Sequence, residues 1–267
     1  MNKKFLAVVL AAIMVFATFA FAGCGGTPEA KPETDLDYVK AKGTLVVGVT
    51  DFAPMDYKEK GSDEWIGFDA DLAKKFAEYL GVKAEIVLIE WENKTLELDS
   101  KNIDCVWNGM TLTDDVMAAM ACSKPYCNNA QVIVVPADEA EKYATAEACK
   151  DLKFAVEKGS AGEAMAKENK FDYTPVLDQA TALQEVSAGT SQAAIIDSLM
   201  AAAMVGENTG FSALTYTASL NSEEYGVGFR KESNLVGEIN AFFDKCASDG
   251  TLDTIAEQYG VQAALIK

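Results

Sequence analysis

The chain has no histidine and a single arginine, Arg230, in 267 residues. Without imidazole it lacks the commonest general base, the usual serine or cysteine triad, and most zinc and iron sites. Beyond the first two dozen residues no apolar run is long enough to span a bilayer. Cysteine is present but does not form a framework. With Cys24 set aside, Cys105, Cys122, Cys127, Cys149 and Cys246 are odd in number and irregular in spacing. Cys122 and Cys127 are close enough in sequence to bridge, whereas Cys105 and Cys246 lie in apolar stretches and read as small buried hydrophobes. There is no Walker sequence, no Gly-x-Gly-x-x-Gly after a strand and no calcium loop, so no cofactor and no metal is expected. Positive charge is also scarce. With 23 basic against 41 acidic residues the net charge is −18, which repels phosphate backbones, and no nucleic-acid partner is expected.

The chain opens with Lys3 and Lys4, an apolar run from Phe5 to Phe21, and Ala22-Gly23-Cys24-Gly25-Gly26. Residues 1–23 read as an export signal. The placement of Cys24 resembles a bacterial lipobox, with Phe21 where leucine is usual. The resemblance implies a lipid on Cys24 and anchoring to the outer face of the cell membrane. The alternative is an ordinary cleaved signal with an incidental cysteine. Residues 24–35, polar and poor in large apolar side chains, read as a tether.

Strand and helix patterns then alternate. Strands are expected at Thr44–Val49, Ala84–Ile89, Asp104–Trp107, Gln131–Val135, Leu152–Val156, Ala193–Ile196 and Tyr225–Phe229. Between them a helix opens at Asp69, read as its N-cap, and closes at Gly81. Others cover Glu92–Leu98, Thr113–Met120, Gly162–Lys167 and Ala180–Ala188, and two more end the chain. Asn108-Gly109-Met110-Thr111 reads as a turn. This alternation predicts an α/β fold with mainly parallel sheets flanked by helices. Function in such folds gathers in the loops after the strands.

Gly43–Val49, Phe52-Ala53-Pro54 and Gly67–Leu72, followed in order by Asn108–Thr113, Ser123–Tyr126, Val156–Gly162, Ala194–Asp197 and Tyr225–Lys231, resemble the polar amino acid binding proteins of ABC importers (extracellular solute-binding family 3). The resemblance implies a two-lobed, periplasmic-binding-protein-like type II fold. Residues 36–128 and 220–267 would form one lobe and residues 129–219 the other, closing on a small polar ligand, an amino acid above all. It also implies a membrane permease as partner, and a monomer with no chemistry of its own.

Family positions place the ligand's ammonium on Asp197, whose carboxylate ends an apolar strand and is costly to bury unless a cation meets it. The competing reading of Asp197 is a helix N-cap. Phe52 and Trp91 match ligand-stacking aromatics, and Trp107 reads as packing. Gly109, Met110 and Thr111 match backbone and hydroxyl donors, and Ser160, Ala161 and Gly162 place amides at a helix start. Asp51 is a candidate side-chain selector.

One departure matters. The family's carboxylate-clamping arginine is Val116 here, after Asp114 and Asp115. Either Lys94 supplies the charge, or amides near Thr111 and Ser160 suffice, or the ligand is an amine, peptide-like or heterocyclic solute without an α-carboxylate. A dehydratase on the same fold and a sensory input module are the rival functions. The first needs a proton-transfer pair made of carboxylates or lysines. The second needs a signalling segment that does not follow Lys267.

Overall fold

A computed structural model describes residues 34–266. The export signal, Cys24 and residues 25–33 of the tether lie outside the described residues. Thr34 accepts a hydrogen bond from the Asp37 amide and caps the helix Asp35–Lys42, so this helix takes in the last residue of the stretch read as tether.

Thirteen strands follow among the described residues. They are β1 (Thr44–Val49), β2 (Tyr57–Lys58), β3 (Trp65–Ile66), β4 (Lys83–Leu88), β5 (Cys105–Thr111), β6 (Ala121–Cys122), β7 (Cys127–Asn129), β8 (Gln131–Pro136), β9 (Lys153–Glu157), β10 (Asp172–Val176), β11 (Ala193–Asp197), β12 (Leu214–Ser219) and β13 (Glu223–Phe229). One sheet runs β4-β1-β5-β13-β6, with β7 also paired to β13. The other runs β10-β9-β11-β8-β12. Each has three adjacent parallel strands extended by antiparallel ones, so the sheets are mixed α/β sheets. The chain leaves the first sheet between β7 and β8 and returns between β12 and β13.

The central strands β5, β8 and β11 are buried along almost their whole length, while edge strand β4 is half exposed. Two-sided burial follows from helices on both faces and explains why these strands read as continuous apolar runs. Beneath the first sheet Phe76, Trp107, Tyr126, Phe242 and Phe243 meet edge to face and stacked, with centroids 5.3–6.4 Å apart. Trp107 is therefore packing. In the second sheet Ile133, Val135, Phe154, Val156 and Ile195 pack on Tyr143 and Phe171.

Local signals place most elements within a residue or two, with two corrections. The helix Phe68–Leu80 is N-capped by Gly67, not by Asp69. Asp69 turns inward and accepts from the Gly109 amide at 2.7 Å and the Tyr126 hydroxyl at 2.7 Å. Residues 108–111 are not a turn but the end of β5, paired with β13 at Tyr225↔Thr111 and Gly226↔Met110. Cys122 and Cys127 do not bridge, and all five described cysteines are free thiols.

Candidate functional site

A cavity of about 320 Å³ opens where several strands end. Into its wall come Phe52 from the loop after β1, Trp91 and Lys94 after β4, and Gly109, Met110 and Thr111 from the end of β5. The second sheet adds Glu157 at the end of β9, Ser160 and Ala161 beyond it, and Asp197 at the end of β11. The position of strand ends in a parallel core dictates this convergence. Asp51 and Gly162 are not part of the wall. Asp51 is exposed. Gly162 packs against β11 and the Gln131 side chain, where an added Cβ would stand 3.0 Å from the Ile195 carbonyl oxygen and 3.1 Å from Gln131 Oε1.

Asp197 occupies the N-cap position of the helix Ser198–Met204, yet its side chain caps nothing. The carboxylate is 4% exposed and held on all sides. Oδ1 accepts from Asn129 Nδ2, from Gln131 Nε2 at 3.0 Å and from the Tyr225 hydroxyl at 2.7 Å, and Oδ2 accepts from Gln179 Nε2. Burial and the nearby Glu223 carboxylate push its pKa to about 7, against the pull of the bonds from Tyr225, Gln179 and Gln131. Asn129, Gln131 and Glu223 lie where the chain crosses between the sheets. Glu223 Oε1 accepts from Asn129 at 2.7 Å, Gln131 at 2.8 Å and the Thr111 hydroxyl at 2.9 Å. The acid at the cavity is thus tied to both crossings by a chain of direct hydrogen bonds.

Gly109 allows the wall its shape. Its φ is +53°, and a Cβ there would stand 2.6 Å from Phe52 Cε1 and 3.0 Å from Tyr225 Cε2. Phe52 and Tyr225 meet edge to face at 6.4 Å. Trp91 is buried with Ile89, Val106 and Met110, and Val116 packs on the same cluster.

Val116 itself lines the cavity, so the position of the family's arginine faces the site and carries an isopropyl group. The helix that holds it, Asp114–Ala119, is capped by Thr113, whose hydroxyl accepts from the Val116 amide at 3.2 Å. Arg230 lies elsewhere, buried against Asp35 at 2.9 Å and Asp104 at 3.3 Å. Lys94 is the cation of the wall and is 8% exposed. Its ammonium donates to the carbonyls of Trp91 at 3.2 Å and Gly159 at 3.1 Å, and sits 4.6 Å from the Trp91 ring centroid. Burial lowers its pKa, opposed by the charge of Glu157.

The bond from Lys94 to Gly159 joins the loop after β4 to the loop after β9. Beside it Lys158 pairs with Glu92 at 2.8 Å, and Gly159, at φ +73°, sits so close that a Cβ would stand 2.9 Å from Glu92 Cα. The two sheets' loops meet over the cavity here.

Sequence reasoning missed Glu157, Gln179, Asn129, Gln131 and Glu223. Only Glu157 carried a usable signal, since it is an acid at the end of an apolar strand, as Asp197 is. Among the described residues no cluster of His, Cys, Asp or Glu could hold a metal ion, and no helix is long and apolar enough to cross a membrane.

Residues 45–262 match the family of bacterial extracellular solute-binding proteins, family 3. Over 258 residues the chain is 29% identical to the L-cystine-binding protein TcyJ of Escherichia coli K12, covering 95% of this chain and 92% of that one. A mutant of ArgBP from T. maritima superposes with a TM-score of 0.78 at 32% identity, over 84% of this chain and 98% of its own. The ancestral amino acid-binding protein AncCDT-1, described as a precursor of cyclohexadienyl dehydratase, gives 0.77 at 33% identity over 84% and 98%.

Proposed function

Because the chain belongs to family 3 of the bacterial extracellular solute-binding proteins, we propose that it captures an amino acid and delivers it to the permease of an ABC importer. Residues 36–128 with 220–267 act as one lobe and residues 129–219 as the other, closing by a hinge at the two crossings. Cys24 carries the lipid that keeps the protein at the outer face of the membrane. The chain works as a monomer and catalyses no reaction.

The observation that carries the reading is Asp197. A carboxylate that is 4% exposed, fixed by four side-chain donors and set in a cavity wall is a receptor built in advance for a positively charged group. A charge-assisted bond to an ammonium there contributes about 1.5–3 kcal/mol, and little is lost in reorganisation because the acid is already held in place. Phe52 and Trp91 supply apolar surface for the rest of the ligand. Gly109, Met110, Thr111, Ser160 and Ala161 bring backbone to the same space. The relative named for L-cystine and the ancestral amino acid-binding neighbour support an amino acid.

Calorimetric titration of the purified protein with the twenty amino acids tests this. Saturable one-to-one binding of at least one is expected. Silence across the set sinks the amino acid reading, and turnover of a bound solute replaces transport by the dehydratase alternative.

A further inference from the structure

We propose that Glu157 is a second cation receptor in this cavity, and that the solute selected carries two cationic nitrogens on a short chain. The inference rests on the reading of Asp197 as receptor of the first.

Glu157 is 3% exposed and lines the cavity, and its Oε1 has no hydrogen-bond partner. A buried carboxylate oxygen left unpaired is destabilising unless something arrives to meet it. Gln179 is the hydrogen-bonding neighbour of this carboxylate, but its nitrogen also serves Asp197 Oδ2, and Glu157 Oε1 itself stays without a partner. Asp197 on β11 and Asp178, the N-cap of the helix Gln179–Ser187, face it with like charge, and Lys94 acts on it with opposite charge. The Lys94 ammonium, however, gives its hydrogen bonds to Trp91 and Gly159. Asp197 cannot serve both ends of a ligand. Three donors occupy its Oδ1 and one its Oδ2, which leaves about one of a carboxylate's four lone-pair sites free.

Charge balance points the same way. The cavity wall holds Asp115 at its exposed rim, Glu157 and Asp197 within, and Lys94 as their counterweight. With these acids ionised the wall is negative in excess. A zwitterion leaves that excess standing, a basic amino acid, net +1 with its α-carboxylate, removes half of it, and a diamine cancels it. The position where a guanidinium would hold a ligand carboxylate is Val116, and with Phe52 and Trp91 it offers apolar surface to a methylene chain. Basic amino acids and aliphatic diamines share this chemistry.

The test pairs each such solute, a dication at its two nitrogens, with a partner lacking the distal charge, namely arginine with citrulline, lysine with norleucine and putrescine with butylamine. Each is titrated calorimetrically into the wild-type protein and into Glu157→Gln. In the wild type at least one dication should bind about 30-fold or more tightly than its partner, the effect of leaving a buried charge unpaired. Glu157→Gln should reduce that gap to within about threefold. Preference for lysine or arginine over putrescine identifies a basic amino acid; the reverse identifies a diamine. Equal binding of dications and partners by the wild type overturns the proposal while leaving the amino acid reading intact. So does an unchanged preference in Glu157→Gln. Binding of none of the six overturns the proposal, and the amino acid reading then stands or falls on the full set of twenty.

Discussion

Replacing Asp197 with asparagine removes one charge and almost no volume, so its effect separates recognition from packing. An amide oxygen in the place of Oδ1 still accepts from Asn129, Gln131 and Tyr225. The amide nitrogen then takes the place of Oδ2 and meets the Gln179 nitrogen, donor against donor. Gln179 cannot turn over without losing the Asp197 amide that its oxygen now receives at 2.8 Å. That conflict costs about 1–3 kcal/mol. Against it stands the cost of keeping the wild-type acid ionised. Raising its pKa from 3.8 to about 7 corresponds to about 4 kcal/mol of destabilisation above neutrality.

The sign follows from the direction of the shift. A carboxyl with a raised folded-state pKa lends its stability below 3.8 and loses it as pH rises through about 7. The ligand-free wild type should therefore lose stability relative to Asp197→Asn as pH rises from 3.8 to about 7 and level off above, by up to about 1.4 kcal/mol per pH unit within that window. Ligand affinity runs oppositely. A cation needs the ionised acid, so wild-type affinity should fall as pH drops below about 7, by up to about tenfold per unit, while that of the variant loses this component. At pH 8 the variant should bind about 30-fold or more weakly, from the 2–5 kcal/mol cost of losing one partner of a buried charge pair. Calorimetric titration and thermal unfolding across the pH range read both. The reasoning is refuted by binding within about threefold of wild type at pH 8, or by unfolding curves whose pH dependence does not differ between the two proteins.

Two further substitutions probe the walls. Val116→Arg restores a guanidinium at a cavity-lining position and should tighten binding of zwitterionic amino acids by about tenfold or more, at 1.5–3 kcal/mol per charged hydrogen bond, while weakening that of any carboxylate-free cation. Titration of both solute types checks it, and equal effects on the two refute it. Gly109→Ala places a methyl 2.6 Å from Phe52 at a φ of +53°. Overpacking and left-handed strain together should lower stability by about 2–4 kcal/mol, and a denaturant midpoint shift worth under about 1 kcal/mol would show that the wall yields.

The legibility of this site in the sequence depended on the distance over which each signal acts. Periodicity and caps act over a few residues, so β1 appears at Thr44–Val49 as read, and Thr113 and Ser160 begin helices where expected. Asp197 was visible as a charge ending an apolar strand, and the fold does place that charge in a cavity wall. Asp69 misled because an acid near a helix start satisfies the N-cap pattern equally well whether it faces the amides of its own helix or, as here, Gly109 and Tyr126. Residues 108–111 misled because Asn-Gly suggests a turn to any local rule. Pairing with β13, over a hundred residues later, takes in Met110 and Thr111 on one side and Cys105 and Val106 on the other, and leaves Gly109 at positive φ in the irregularity between them. The groups around Asp197 come from β7, β8, β13 and the helix Gln179–Ser187. They meet because strand order in the sheets differs from chain order, and no local pattern reports that. Lys94 shows the same limit in chemistry. As a basic residue beside Trp91 it suggested a counter-ion for a ligand carboxylate, yet two carbonyls, one of them in the opposite sheet's loop, take its hydrogen bonds. A scarce cation is thus committed to joining the loops over the cavity, and this leaves the inward-facing acids in want of a positive charge from outside the chain.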